Sequence, residues 1–294
     1  MLSQFPIHSP EEEIHHQLFT RKAIQVFIKR DDKIHPFISG NKWRKLKYPL
    51  QEAKNLNKNL LVTFGGAWSN HLLATAAAAA QFGFQSQGIV RGESVDNPVL
   101  AMCRLFGMKL QFIDRTSYRE KESYFNSHFD STTAHFIDEG GRSKLGMLGC
   151  KEIIAELQQE YSHILTAAGT GTTAAGLLQG IDEENLATQI QVIPVLKNGG
   201  FIKVDIEKFE VSTKNLELHL DYHFSGYGKS KPELIDFIKD FVASTGIMIE
   251  PVYTGKAMYA LFDLIEKDHF RPGSRILFLH TGGLTGLLGQ LNLF

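Results

Sequence analysis

The feature that most constrains this 294-residue chain is an alternation maintained over most of its length. Short β-rich apolar runs are followed again and again by segments with helical patterning, and that order predicts a parallel α/β architecture. The spacing predicts strands at Val26–Lys29, Leu60–Phe64, Gln87–Val90, Leu110–Ile113, Ala134–Ile137, Ile164–Ala167, Ile190–Val195, Leu216–Leu220 and Arg275–Leu279. Several are near-continuous apolar runs, as strands covered on both faces are. Helices are expected between them, among others at Trp43–Leu56, Asn70–Phe82, Pro98–Phe106, Met147–Glu160, Glu233–Ser244 and Lys256–Glu266. The glycine-rich stretch Glu139–Gly149 divides these units into two groups, which is compatible with two consecutive domains or with one domain inserted into another.

Composition removes other classes. With 31 Lys+Arg against 32 Asp+Glu, the formal charge of -1 offers no basic face to a nucleic acid or an anionic membrane. The longest small or apolar run, Leu72–Ala80, is far short of the roughly 18 residues needed to cross a bilayer. The opening MLSQFPIHSPEEE lacks the basic and apolar regions of a secretory signal, so a cytoplasmic location is expected. Two cysteines, Cys103 and Cys150, make neither a disulfide framework nor a four-ligand zinc site. No metal centre is expected from histidine spacing either.

Doubly wound sheets bind ligands at the carboxyl ends of their strands, and four turns there are rich in Gly, Ser, Thr and Asn. They read ISGNKWRKL from Ile38, FGGAWSNH from Phe64, AAGTGTTAAG from Ala167 and LHTGGLTG from Leu279. Glycines allow close backbone approach, and the first turn of a helix presents unpaired N–H groups to an anion. In the third turn, Gly169, Thr170, Gly171, Thr172 and Thr173 combine backbone donors with three hydroxyls, as a phosphate monoester requires. The spacing to Gly176 excludes the Rossmann fingerprint, and no Gly-Lys-Ser/Thr follows to make a Walker A loop. Around Ser69 there is no G-x-S-x-G elbow of a serine hydrolase. Lys42, at the end of a Ser-Gly-Asn turn, is by itself an ordinary helix lysine, or a Schiff-base lysine if a carbonyl cofactor lies among those turns.

Taken together and in order, SGNKWRKL, WSNH, GTGTTAAG, SGYG, PVYTGKAM and LHTGG resemble the pyridoxal-phosphate enzymes of the aminocyclopropanecarboxylate deaminase and D-cysteine desulfhydrase family. The resemblance implies two three-layer α/β domains with mostly parallel sheets, like the tryptophan synthase beta subunit (fold type II). It places a large cofactor-binding domain at residues 1–46 and 139–294 and a small α/β domain at 47–138. It implies that Lys42 holds the cofactor covalently and later takes the substrate's α-proton, with Lys45 and the Gly169–Thr173 loop binding the phosphate. Asn70 matches the residue that meets the ring's 3-hydroxyl, Ser69 and His71 lie at the substrate, and Thr281 falls at the pyridine nitrogen. Tyr227 and Tyr253 complete the catalytic set. The deaminase branch carries glutamate immediately after the tyrosine of PVY, whereas this chain has Thr254, so the resemblance leans towards β-elimination from D-cysteine or a similar amino acid. Ring opening of aminocyclopropanecarboxylate and a catalytically altered cofactor-binding protein are the alternatives. A homodimer acting on a small amino acid, without nucleic acid or membrane, is the implied assembly.

Overall fold

The computed structural model describes residues 5–294. Ten strands occur among these residues: β1 (Glu11–Ile14), β2 (Gln25–Lys29), β3 (Leu60–Gly65), β4 (Gln85–Arg91), β5 (Lys109–Ile113), β6 (Ala134–Ile137), β7 (His163–Ala168), β8 (Gln189–Pro194), β9 (Leu216–Leu218) and β10 (Arg275–Leu279). They form two sheets. The larger has the order β1-β2-β10-β7-β8-β9 and the smaller β5-β4-β3-β6. Every pairing is parallel except β1 with β2. The nine expected strands are all present; β1 was not expected, because its Glu-Glu-Glu-Ile sequence lacks an apolar run. It is an edge strand, where charged side chains cost nothing and discourage further pairing.

The helices are α1 (Gln17–Arg21), α2 (Asn41–Asn55), α3 (Asn70–Phe82), α4 (Pro98–Leu105), α5 (Lys121–His128), α6 (Lys144–Ala155), α7 (Thr172–Glu183), α8 (Phe201–Glu207), α9 (Pro232–Thr245) and α10 (Thr254–Glu266). The alanine-rich α3 starts at Ser69, whose hydroxyl caps the first turn, and stops at Gly83 in the left-handed conformation. Expected to begin at Met147, α6 begins instead at Lys144, because Ser143 accepts from the Gly146 N–H. Its glycines set how closely it packs against its neighbours. A Cβ on Gly149 would lie 1.8 Å from the Arg44 carbonyl oxygen of α2, and one on α7's Gly176 would lie 2.6 Å from the Met147 carbonyl oxygen. Only backbone-to-backbone contact fits there, so α2, α6 and α7 form one rigid layer beneath the cleft.

Candidate active site

The loops that follow β3, β7 and β10 converge with the start of α2 on a pocket of about 500 Å³, a size suited to a small organic ligand. A larger groove of about 1070 Å³ lies at the opposite, amino-terminal ends of β7 and β8, around His163 and Gln189, away from the glycine-rich turns.

Two of those turns nest into each other. Gly40 has φ +60° and ψ −137°, and a Cβ there would lie 1.9 Å from the Thr281 carbonyl oxygen. That same oxygen accepts from the Asn41 N–H at 3.2 Å. From the other side Gly282, at φ +74°, leaves no room for a Cβ because Ser39 Oγ would be 2.3 Å away. The contact places Lys42 in the first turn of α2, facing the pocket. Lys42 Nζ donates to Asn41 Oδ1 at 3.1 Å, and Asn41 Nδ2 donates to Thr173 Oγ1 at 3.2 Å, so Lys42 and the Gly169–Thr173 loop are tied together. Burial, reinforced by the neighbouring Lys45 ammonium, pushes the Lys42 amine down to about 7.

The Gly169–Thr173 loop leads directly into α7. No side chain caps that helix, so its first-turn N–H groups remain for a ligand. Gly171 approaches the Ile206 backbone so closely that a Cβ would be 3.0 Å from its nitrogen. Lys45 is 3% exposed, lines the pocket, and makes no hydrogen bond or ion pair among the described residues. A buried ammonium without a counter-charge is costly, and burial lowers its proton affinity accordingly. Free helix N–H groups, the Thr170 and Thr173 hydroxyls and the Lys45 amine therefore fit a bound phosphate. Gly171 and Thr172 do not line the pocket; they form the turn behind it, with Thr172 fully buried.

On the small-sheet side, Ser69 Oγ accepts from the His71 and Leu72 N–H groups at 3.2 and 3.3 Å, which leaves its own proton to donate. Asn70 Nδ2 donates to the Gly283 carbonyl at 3.2 Å, and Asn70 Oδ1 accepts from Thr285 Oγ1 at 2.7 Å. These bonds join the two walls of the cleft. The tautomer of His71 follows from Thr63, whose hydroxyl donates its only proton to the Ile137 carbonyl at 2.8 Å. The 3.0 Å contact between Thr63 Oγ1 and His71 Nε2 must then use the Nε2 proton, so Nδ1 is bare. It is also buried and unpartnered. Burial, and secondarily Lys42 and Lys45, keep the ring well below its usual range and hence neutral.

Tyr253 OH donates to Tyr227 OH at 3.1 Å at the mouth of the pocket. Burial raises both phenols, so both remain protonated at neutral pH. Two buried residues that sequence reasoning left without a role hold this pair. The Glu250 carboxylate accepts from the N–H groups of Val252, Tyr253 and Thr254 at 2.7 to 2.8 Å and from Thr254 Oγ1 at 3.2 Å, capping α10. Lys256 Nζ donates to the carbonyls of His223 at 2.9 Å and Gly226 at 2.8 Å, pinning the loop that carries Tyr227. Both lie in or beside the PVYTGKAM motif, where an acid just ahead of a helix start was the available signal. Thr281 lines the pocket opposite and is 7% exposed.

The sequence matches the family described as "Pyridoxal-phosphate dependent enzyme" over residues 14–282. A Pyrococcus horikoshii protein provisionally named a 1-aminocyclopropane-1-carboxylate deaminase is 32% identical over 278 residues, covering 89% of this chain and 85% of the relative. The D-cysteine desulfhydrase of Klebsiella pneumoniae is 29% identical over 292 residues, covering 90% and 88%. A crystal structure titled as an ACC deaminase homologue superposes with a TM-score of 0.82 at 30% identity, covering 99% of this chain and 95% of that one. The fold is thus that of the type II pyridoxal-phosphate enzymes, and this chain belongs to the pyridoxal-phosphate dependent enzyme family.

Proposed function

We propose that the protein is a lyase that eliminates a β-substituent from a small D-amino acid, as the relatives named D-cysteine desulfhydrase do. The observation that carries this reading is the environment of Thr254. Where a glutamate would mark the deaminase branch, its hydroxyl is buried and bonded to Glu250, and the site presents the Tyr253–Tyr227 pair instead. The second reading, aminocyclopropanecarboxylate ring opening, rests on the names of other relatives.

Pyridoxal phosphate, when bound, supplies an electron sink that lowers the energy of negative charge at the substrate's α-carbon. Lys42 would hold it covalently, Lys45 and the Gly169–Thr173 loop its phosphate, Asn70 its 3-hydroxyl and Thr281 its ring nitrogen. A hydroxyl there leaves that nitrogen largely unprotonated, which favours prompt loss of a leaving group. With its amine shifted to about 7, Lys42 is partly uncharged at neutral pH and takes the α-proton as general base. The substrate carboxylate is met by the Ser69 hydroxyl, whose proton is free to donate, with His71 beside it. The protonated Tyr227–Tyr253 pair donates to the departing group. The released enamine takes up water to give a keto acid and ammonia.

The same reading includes the division into residues 1–46 with 139–294 and 47–138, which the two separate sheets support; α2 runs across the first boundary. It also includes a cytoplasmic homodimer. Among the described residues no helix is long and apolar enough to cross a membrane.

The test is a panel of D- and L-amino acids plus aminocyclopropanecarboxylate, assayed for keto acid. D-Cysteine should yield pyruvate, sulfide and ammonia, and Lys42→Ala should lose both this activity and the yellow colour of the loaded protein. Turnover of aminocyclopropanecarboxylate without sulfide from D-cysteine would replace the first reading with the second.

A further inference from the structure

At the opposite end of the large sheet from Lys42, three side chains converge that the proposed reaction does not use. Glu217 lies in the edge strand β9, and His219 follows two residues later, which alternation places on the same face. The His219 N–H donates to the Val192 carbonyl at 3.0 Å, so the ladder with β8 extends to it. His269 arrives from the turn after α10, where Asp268 adopts φ +57° and the His269 N–H closes onto the Leu264 carbonyl at 3.0 Å. The two imidazoles sit edge to face, 5.2 Å between centroids.

One ring nitrogen of each histidine and a carboxylate oxygen of Glu217 lie within 4.8 Å of one another. His269 Nε2 is 3.4 Å from Glu217 Oε2. With metal–ligand bonds of about 2.1 Å, two ligands at a tetrahedral zinc stand about 3.4 Å apart, so this edge is already at its bound length. Glu217 has no Lys or Arg within ion-pair distance among the described residues. Behind His219, the buried Gln191 offers Oε1 to ring Nε2 at 2.5 Å, the kind of outer partner that fixes the orientation of a ligating imidazole. His269 also lines the large groove around His163, which gives a hydrated ion an approach.

We propose that Glu217, His219 and His269 form a binding site for one zinc-class divalent ion, with water completing the coordination. Two imidazoles and one carboxylate suit zinc better than magnesium or calcium, which prefer oxygen ligands. The ion would have a structural role, tying the short edge strand β9 to the end of α10 and closing the exposed side of the sheet.

The test uses the cofactor-loaded protein, stripped with a chelator and titrated with Zn²⁺ by calorimetry, with the bound metal counted by elemental analysis. About one ion per chain is expected, along with a rise of several degrees in the unfolding temperature. Either His219→Ala or His269→Gln should weaken binding at least tenfold, and Gln191→Ala roughly 10- to 100-fold. His269 lies on an exposed turn, so His269→Gln should retain the cofactor absorbance and turnover; this separates loss of metal from loss of fold. Co²⁺ should bind the native protein with the intense visible bands of a tetrahedral site. Zinc bound equally well by a folded His219→Ala/His269→Gln double variant, or no binding at about 100 μM Zn²⁺, would overturn the proposal.

Discussion

Lys42 illustrates how surroundings alter one side chain. An unperturbed lysine is more than 99% protonated at neutral pH, since its pKa is about 10.4. Here burial and the adjacent Lys45 bring the value to about 7, so the uncharged, nucleophilic form predominates above neutrality and the ammonium below it. The rate at which cofactor-stripped protein takes up pyridoxal phosphate covalently should therefore rise through about pH 7 and level off. Stopped-flow absorbance across pH 5.5 to 10 would show this, and a rate still climbing towards pH 10 would contradict it. Gly40 acts through sterics instead. At φ +60°, with Thr281's oxygen 1.9 Å from where a Cβ would be, Gly40→Ala should cost more than about 3 kcal/mol in urea unfolding.

At the scale of the element, α10 does more than its apolar pattern indicates. Its first turn is capped by the buried Glu250 carboxylate, and its Lys256 reaches across to the loop carrying Tyr227. Lys256→Met would leave the His223 and Gly226 carbonyls without that donor, at a cost of about 1–3 kcal/mol. The expected outcome is kcat reduced at least tenfold with the cofactor absorbance intact, because Tyr227 loses its position while Lys42, Lys45 and the Gly169–Thr173 loop are untouched. Unchanged kcat in a folded variant would remove Lys256 from the positioning role. Element boundaries were less legible than element identity. A cap such as Ser143 starts α6 at Lys144, three residues ahead of the expected Met147. The charged β1 becomes a strand only because β2 offers it an edge.

Across the whole molecule, a buried charge cluster holds α2 against the large sheet. Arg44, wholly buried, donates from Nε and Nη2 to Asp31 at 3.1 and 2.9 Å, and its guanidinium also pairs with Glu156 of the segment closing α6. Arg44→Met should leave Asp31 buried without its cation and lower stability by about 3–5 kcal/mol, measured by urea unfolding of the loaded protein. The alternation of strands and helices along the chain, the turns at the strand ends and the glycines in those turns were readable in the sequence. Apolar runs and a need for φ above zero are properties of a few neighbouring residues. Tertiary structure alone decided the bare nitrogen of His71, the bonds of Asn70 across the cleft, the partners of Lys256 and the lowered proton affinity of Lys42. Each depends on groups tens to hundreds of residues away, and on a loss of water that no local pattern encodes.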